Sequence, residues 1–444
     1  MAKAYRIIFE TFDLTEPKKI LRQETLLKEQ ISKPTDILDF SLNHYDQIQL
    51  LKSALDNILP EKAALINSDL GSCPSCSGEI IKQGNRKSTL HDVFSDHDVK
   101  MQRVKCSACG FEPASTVRTF LKGHTMSADL LKIQSELGAD NTFRDSEEIF
   151  NKFSGKLRKI NNHNRIKLTT ESIGRSLKDV NQSEKEMIKT KESLELILNV
   201  DGGHIKSKSP EQRSFEALTS VIYNPEALAS NPKGTRNHLT QKSCSASALD
   251  DTGSDIITST IISAIKEGMT ENTHITALAD GASNCWNVID SLEPMCKKIT
   301  PILDWFHLSM KMENIALPEK MKIKFKRIKW HLWRGNSEAA LIRLHQLIEN
   351  TVDKKITTKV NKFIIYIKNN LDKIINYRER QKEGLVFTSN LAESTVESLI
   401  NQRCKGQQHM KWTREGLDPI LQLRAQIHSK DWNNKWKTVV LASI

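Results

Sequence analysis

The sequence lacks several features that would place it in a familiar class at once. No window approaches the ~20 apolar residues of a membrane span, and the first residues, MAKAYRIIFETFDLTEPKK, contain no apolar stretch of signal-peptide type. There is also no internal repeat of fixed period and no low-complexity linker. We therefore expect a cytosolic protein without a membrane partner.

Cysteine is scarce, with 8 residues among 444, so a disulfide scaffold is excluded. Four cysteines nevertheless form two CxxC pairs, CPSC and CSAC, separated by 29 residues that are long enough for a short β-ribbon. Unrelated thiols or a redox pair are the alternatives, but the second pair and the cytosolic context favour a metal. We expect a structural Zn²⁺ ion bound by Cys73, Cys76, Cys106 and Cys109.

Charge and length indicate a multidomain protein that binds a polyanion. Lysine and arginine number 65 against 54 acidic residues, which gives a formal net charge of +11 and a pI near 9.1. Such a balance favours nucleic acid first and an anionic membrane surface second. A chain of 444 residues is also too long for one ordinary core, so two to four domains are expected.

Changes in composition divide the chain into six segments. We predict a helical region at 1–66 with a helix over 36–59 that stops at Pro60, and a zinc ribbon at 67–125. Residues 126–190 favour a helical, helix-turn-helix-like DNA-binding region with helices at 143–153 and 168–180, the second capped by Thr169 or Thr170; two simply packing helices are the alternative. The remaining segments are an α/β part at 191–308, an all-helical segment at 309–384 and C-terminal helices at 385–444.

Two aspartates in the α/β part follow apolar, strand-like runs. ELILNV ends at Asp201 and HITALA ends at Asp280, and glycine follows each aspartate. Gly202 and Gly203 would leave room for a DNA backbone or for a sharp exit from the strand. One Asp-Gly is only a turn signal, but two carboxylates on adjacent strands would bind a hard cation such as Mg²⁺.

A third acid would complete a two-metal site for phosphodiester chemistry. Glu393 and Glu397 lie one helical turn apart in TSNLAESTVESLINQRCKG, and both can equally be solvent-facing helix charges. The residues alone do not choose between them.

Four blocks together resemble the DDE transposases of bacterial insertion sequences, with the ISKra-like family nearest and the Mutator-like enzymes further off. The blocks are VDGGH, ALADGASNCWN, ILDWFH and LAESTVESLINQRCKGQQHMKW, and the CPSC…KCSACGF module is also similar. The resemblance implies an α/β RNase H-like catalytic domain with an all-helical insertion, preceded by a zinc ribbon and a helical DNA-binding region. It makes Asp201 the first acid, on the first strand, and Asp280 the second, after the fourth strand. Glu393 becomes the third because it precedes Arg403 by ten positions, and Glu397 is the lesser candidate.

The same resemblance suggests secondary roles for residues near these acids. Asp304 and His307 in DWFH match a signature that follows the second acid, although a core strand with a satisfied histidine is the alternative. The segment 320–335 interleaves basic and aromatic residues that would neutralise phosphates and stack on bases; the alternative is an amphipathic helix with Ile323, Ile328 and Leu332 inward. The expected DNA contacts are Lys322, Lys324, Lys326, Arg327, Lys329, Trp330, Arg403 and Lys405.

The function implied is transposition. Mg²⁺ (or Mn²⁺) would support cleavage of the element ends and attack of the freed 3′-hydroxyl on target DNA, in a homo-oligomer, in the bacterial cytoplasm at the nucleoid. An RNase H-like nuclease or resolvase without strand transfer and a domesticated, non-catalytic DNA-binding protein are the alternatives. A dinucleotide enzyme is excluded, because no GxGxxG follows the VDGGH strand.

Overall fold

The structure is a computed structural model that describes residues 3–38, 40–154, 157–183, 191–230, 237–315, 317–349, 351–390, 395, 397–405 and 410–442. The chain divides into two compact units, Met1–Thr170 with Val440–Ile444, and Glu171–Val439. Within the described residues, no helix combines the length and the apolar character that crossing a membrane requires.

The first unit begins with a β-hairpin rather than with helices. Strands β1 (Lys3–Phe12) and β2 (Ile20–Ile31) pair antiparallel, so the prediction of a helical region at 1–66 is wrong for its first half. Helix α1 (His44–Ser68) starts after its N-cap Asn43 and continues through Pro60. The predicted stop at Pro60 is therefore wrong, because the turn beyond it is held by the packing of Ala63 into a core.

A second hairpin and four helices complete this unit. They are β3 (Ile80–His91), β4 (Asp96–Cys106), α2 (Thr116–Phe120), α3 (Ala128–Asp140), α4 (Phe143–Ser154) and α5 (His163–Ser183), which runs across the boundary between the units. The hairpin is the ribbon expected between the cysteine pairs. Thr169 and Thr170 do not cap a helix but lie buried inside α5, where Thr170 Oγ1 donates to the Ile166 carbonyl.

The second unit is built on a five-stranded mixed sheet. Its strands are β5 (Glu195–Lys206), β6 (Ser214–Tyr223), β9 (Ser243–Ser247), β10 (His274–Ala279) and β11 (Lys298–Leu303); β7 (Leu228–Ser230) and β8 (Asn237–Leu239) form a separate small hairpin. The order across the sheet is β11-β10-β5-β6-β9. Strands β5, β10 and β11 are parallel, whereas β6 is antiparallel to both β5 and β9. The chain is thus a mixed α/β protein.

Within the described residues, two α-helices lie between the strands of the sheet in the chain, and most of the chain after β11 is helical. The helices of this unit are α6 (Ser254–Lys266), α7 (Ser283–Asp290), α8 (Trp305–Glu313), α9 (Glu319–Trp333), α10 (Ser337–Glu349), α11 (Lys354–Lys368), α12 (Tyr377–Lys382), a π-helix (Glu397–Gln402), α13 (Arg414–His428) and α14 (Trp432–Ala442). Helix α13 is buried over most of its length, and Gln422 on it donates to the Ala246 carbonyl of β9.

Candidate functional site

Four thiols meet at the base of the β3–β4 hairpin. The Sγ atoms of Cys73, Cys76, Cys106 and Cys109 all lie within 4.8 Å of one another, with Cys73–Cys109 at 3.7 Å and Cys76–Cys106 at 3.5 Å. Four sulfurs at ~2.3 Å from a tetrahedral ion are about 3.8 Å apart, so the spacing fits a single ion. The cluster can therefore hold a structural zinc ion.

The backbone around each cysteine pair explains how the thiols converge. Ser77 and Gly110, directly after the two pairs, adopt positive φ values of 58° and 74°, which turn each knuckle back on itself. A β-carbon on Gly78 would lie 3.2 Å from both Cys76 Sγ and Cys106 Sγ, so glycine leaves room for the sulfurs. The backbone N–H of Cys109 donates a hydrogen bond to Cys106 Sγ. This bond is the main reason that the pKa of the Cys106 thiol falls to about 6.

Three aspartates line up at the carboxyl edge of the parallel strands in the second unit. Val200 of β5 pairs with Ala279 of β10, and Ala279 pairs with Leu303 of β11. The next residue on each strand path is Asp201, Asp280 or Asp304, so the three carboxylate-bearing residues occupy one row. Neighbouring strands are about 4.8 Å apart, which places Asp201 and Asp280 side by side.

Asp201 lies half-buried in an acidic environment. Burial raises the pKa of its carboxyl above the usual range, and the nearby Asp280 and Asp304 carboxylates add to the rise. His307 lowers the pKa of Asp201, and so does the Gly202 N–H, which donates a hydrogen bond of 2.8 Å to Asp201 Oδ1. Burial is therefore the main cause of the raised pKa, and the neighbouring carboxylates are a smaller one.

Asp304 is fully buried and serves as the N-cap of α8, so the alternative of DWFH as a core strand is wrong. Its Oδ1 accepts the Phe306 N–H, while its Oδ2 accepts the Ser389 hydroxyl at 2.6 Å and lies 3.2 Å from His307 Nδ1. Burial alone would raise the pKa of Asp304, but His307 and Ser389 outweigh it and hold the pKa below its ordinary value. Asp304 is therefore ionised, and it binds Ser389 and the first turn of α8 at the carboxyl edge of the sheet.

The two glycines after Asp201 do not end the strand, since β5 continues to Lys206; the predicted strand exit is wrong. A β-carbon on Gly202 would lie 2.3 Å from Glu216 Oε1 of β6. A β-carbon on Gly203 would lie 3.1 Å from Ile400 Cγ2 and 3.4 Å from Lys405 Nζ. The missing side chains therefore leave room for close neighbours. Glu216 approaches Gly202, and Ile400 and Lys405 approach Gly203.

Glu393, the predicted third acid, lies outside the described residues. The described parts of the chain on both sides of it are attached to the same edge: Ser389 binds Asp304, and Ile400 packs on Gly203. Further on, Trp412 extends β5 through hydrogen bonds with Lys206 and Lys208. The described residues before and after this gap thus contact Asp304 and Gly203, respectively.

Other candidates in this block have different environments. Glu397 is exposed and bonds to Asn401 within its own helix. Arg403 is fully buried, with its guanidinium 5.0 Å from the Trp412 ring centroid and Nη1 3.0 Å from Met410 Sδ. Arg403 is therefore not placed to contact DNA, and its side chain packs against Trp412 and Met410 instead. Lys405 is exposed beside Gly203.

Helix α9 carries a basic face and an open aromatic cavity. Lys322, Lys324, Lys326 and Arg327 are exposed, and Lys329 is half-buried, bound to Ser309 and Glu313. The inward stripe is Phe325, Ile328 and Leu332, so the expectation that Ile323 packs inward is wrong; Ile323 is 64% exposed. A cavity of about 520 Å³ is lined by Trp305, Lys326, Lys329, Trp330 and Trp333. Trp330 is 56% exposed, and the Arg334 guanidinium lies 5.7 Å from its ring centroid.

Sequence reasoning missed Glu216, Ser389 and Tyr366, all of which touch the edge. Glu216 Oε2 accepts the Asn284 side chain at 2.6 Å, and Tyr366 donates to the Asp280 carbonyl. None of the three had a local sequence signal: the pairing of Glu216 with His204 depends on the β5–β6 register, and the contacts of Ser389 and Tyr366 are long-range.

One further set has the hydrogen-bond order of a hydrolytic triad. Ser95 Oγ lies 2.8 Å from His97 Nε2, and His97 Nδ1 lies 2.7 Å from Asp56 Oδ1. His97 is 1% exposed and Ser95 is 4% exposed, so no substrate reaches the hydroxyl. The set fastens α1 to β4.

Comparison with known proteins assigns the chain to a family whose activity is not characterised. No curated protein matches the sequence. A family model described as an uncharacterised protein family, UPF0236, matches residues 131–438, which is more than half of the chain. The match contains the row of aspartates and α9 but not the four clustered cysteines. The chain belongs to the uncharacterised protein family UPF0236.

Proposed function

We propose that this chain is a DDE transposase with an RNase H-like catalytic domain. The mixed sheet supports this fold, because Asp201 lies on its first strand in chain order and Asp280 follows its fourth. The observation that carries the proposal is the Val200–Ala279 register, which brings two carboxylates together at one sheet edge.

The donor chemistry suits Mg²⁺, which prefers carboxylate oxygens. Among the described residues, the four cysteines are the only group of three or more residues that could hold a metal, so the acidic site needs a ligand from elsewhere. Glu393 is that ligand in our proposal, because Ser389 and Ile400 attach its flanks beside Asp201 and Asp280. Glu397, exposed and bound to Asn401, is less suited.

Bound Mg²⁺ would activate the attacking oxygen and stabilise charge on the phosphate in an in-line displacement. The chain's own residues hold the DNA: Lys405 places a positive charge beside Gly203, within reach of a phosphate at the edge. The exposed basic residues of α9 neutralise phosphates without reading sequence. The cavity at Trp330 suits an unpaired base, since three tryptophans and two lysines line it.

The four clustered cysteines support a zinc ribbon in the first unit, with zinc as a folding element rather than a catalyst. Helices α4 and α5, separated by residues 155–162, remain the candidate sequence reader. We also propose that the protein acts as a homo-oligomer, because transposition must bring two element ends together.

The test uses a plasmid that carries the gene with its native flanking DNA. With Mg²⁺, the full-length protein should nick the flanks at defined positions and join pre-cleaved ends to a second plasmid. Asp201→Asn, Asp280→Asn and Glu393→Gln should each abolish cleavage while binding of the flanking DNA persists. Glu397→Gln is the matched control and should cleave normally.

Three outcomes count against the proposal or narrow it. Normal cleavage by any of the three variants removes that residue from the site. Cleavage without joining favours the nuclease alternative. Sequence-specific binding without cleavage in either Mg²⁺ or Mn²⁺ favours the non-catalytic DNA-binding protein.

A further inference from the structure

The loop that follows β10 is held by helix α11, which belongs to the all-helical segment. The Tyr366 hydroxyl donates a hydrogen bond of 2.8 Å to the carbonyl oxygen of Asp280. Asn370, in the turn just after α11, is 1% exposed. Its Oδ1 accepts the Trp286 indole N–H at 2.9 Å, and its Nδ2 donates to the Tyr366 carbonyl at 2.9 Å. Tyr366 of α11 therefore contacts the start of the loop, and Asn370 in the turn after α11 contacts helix α7.

The contact is made directly against loop backbone. Gly281 has φ +95°, and a β-carbon there would lie 2.7 Å from Tyr366 Cε2 and 3.0 Å from Asn370 Nδ2. Any other residue would be strained in conformation and would push α11 away. The glycine after Asp280 is thus explained by the approach of Tyr366 rather than by a turn alone.

The first turn of α7, which directly follows the same loop, is attached to the sheet. Glu216 of β6 accepts the Asn284 side chain at 2.6 Å, and the absent side chain of Gly202 makes room for its carboxylate. Asp280 Oδ1 accepts the Ala282 N–H within the loop, at 2.9 Å. The loop is therefore held by Tyr366 at the Asp280 carbonyl and, through the first turn of α7, by Glu216 at Asn284.

We propose that Tyr366 is a positioning residue for the metal site, acting through the backbone of Asp280. This rests on the proposed function, in which Asp280 is a metal ligand. Partners that orient a metal ligand commonly change metal affinity by 10–100-fold, even though they never touch the ion. The all-helical segment is then a structural part of the acidic site and not only a surface for DNA.

The packing of α11 gives Tyr366 a rigid base. The Tyr366 ring stacks at 6.1 Å on Phe363, which contacts Phe325 of α9 with ring centroids 6.2 Å apart. Phe363 and Phe325 are both buried, and Lys311 Nζ lies 4.6 Å from the Tyr366 ring centroid. A hydroxyl held this firmly fixes the carbonyl that it binds.

The test measures Mn²⁺ binding by calorimetry and electron paramagnetic resonance on zinc-loaded, full-length protein, so that the cysteines do not take up Mn²⁺. Tyr366→Phe removes only the hydroxyl and should weaken Mn²⁺ binding about tenfold. Tyr223→Phe is the control, because it also deletes a hydroxyl from a buried tyrosine, and Tyr223 pairs with Ile197, four residues before Asp201 on β5. Its Mn²⁺ affinity should equal that of the wild type.

Two negative results are distinguishable. If Asp280→Asn abolishes binding but Tyr366→Phe binds Mn²⁺ as tightly as Tyr223→Phe does, Tyr366 has no positioning role and the proposed function stands. If the wild type binds no Mn²⁺ that depends on Asp201 and Asp280, the metal site itself is wrong, and the role of Tyr366 falls with it. Equal unfolding midpoints for the two tyrosine variants, with unequal Mn²⁺ affinities, support the proposal.

Discussion

The hydroxyl of Ser389 donates a hydrogen bond of 2.6 Å to the buried carboxylate of Asp304, and its backbone N–H donates a second of 3.0 Å. The bond joins residues 85 positions apart, one at the end of β11 and the other just before the segment that contains Glu393. It thereby ties the C-terminal block to the row of aspartates.

Replacing Ser389 with alanine should destabilise the second unit by about 1.5–3 kcal/mol, because a hydrogen bond to a buried, charged carboxylate is lost. Urea unfolding followed by tryptophan fluorescence reports on this unit, since all seven tryptophans lie in it. Thr388→Ala is the matched control: its hydroxyl donates to the side chain of the exposed Asn390, so its effect should stay within about 0.5 kcal/mol. Equal effects of the two substitutions would contradict the anchoring role.

A double-mutant cycle tests the space beside Gly202. Alanine at 202 must displace the Glu216 carboxylate, whose Oε1 would lie 2.3 Å from the new β-carbon, and this should cost about 1–3 kcal/mol. In a Glu216→Ala background the same substitution should cost at least about 0.5 kcal/mol less, because nothing is left to displace. Gly203→Ala meets Ile400 instead and should be unaffected by the change at 216. Additive effects at 202 and 216 would contradict the contact.

The two central parallel strands of the sheet could be predicted because each contains a short apolar run that is largely buried. The runs ending at Val200 and Ala279 predicted β5 and β10, and the following aspartates predicted an acidic edge. Which strands are neighbours follows from long-range pairing, so the alignment of Asp304 with the other two came only from the structure. The contact of Tyr366 with Asp280 spans 86 positions and has no local signal.

The errors have equally physical causes. Neither strand of the β1–β2 hairpin contains a fully buried residue, so no clear alternation of apolar and polar residues appears there. On α9, Ile323 and Ile328 are five residues apart, a step that rotates a helix by about 500° and puts them on different faces. The buried set Phe325, Ile328 and Leu332 keeps the spacing of three and four residues that one face requires.

Helix α9 offers a matched pair for testing base stacking. Trp330 and Ile323 are both exposed apolar residues on the same helix, but only Trp330 lines the cavity with Lys326 and Lys329. Trp330→Ala should weaken binding of single-stranded DNA by about 1–3 kcal/mol, and Ile323→Ala should not change it. Lys326→Ala should lower the slope of log affinity against log salt by about one unit. Equal losses for the tryptophan and isoleucine variants, measured by fluorescence anisotropy, would contradict stacking.

The stability of the first unit should depend on Asp96 in acid. The His91 hydrogen bond, followed by the buried Arg158 guanidinium, holds the pKa of Asp96 well below its usual range despite partial burial. Because the folded pKa is below the unfolded value near 4, this stabilisation is present above about pH 4 and is lost as the pH falls toward the folded pKa. Asp96→Asn should therefore flatten the loss of hydrogen-exchange protection in β4 between about pH 5 and pH 2. Asp98→Asn, an exposed change on the same strand, should leave the wild-type profile intact.

Removing zinc should unfold the base of the β3–β4 hairpin without disturbing the sheet of the second unit. The core beside the thiols consists of only four buried residues, Cys73, Ile80, Val104 and Cys106, two of which are the ligands themselves. So small a core needs the metal to stay folded, since metal binding supplies its folding free energy. A strong chelator, or Cys106→Ser, should release one zinc per chain and abolish hydrogen-exchange protection over residues 72–111. Tryptophan fluorescence, which reports on the second unit, should not change.

Cys244→Ser supplies the control, because this buried thiol lies outside the cluster and its loss should leave the zinc content at one. Full protection of residues 72–111 in zinc-free protein would contradict a structural role for the ion.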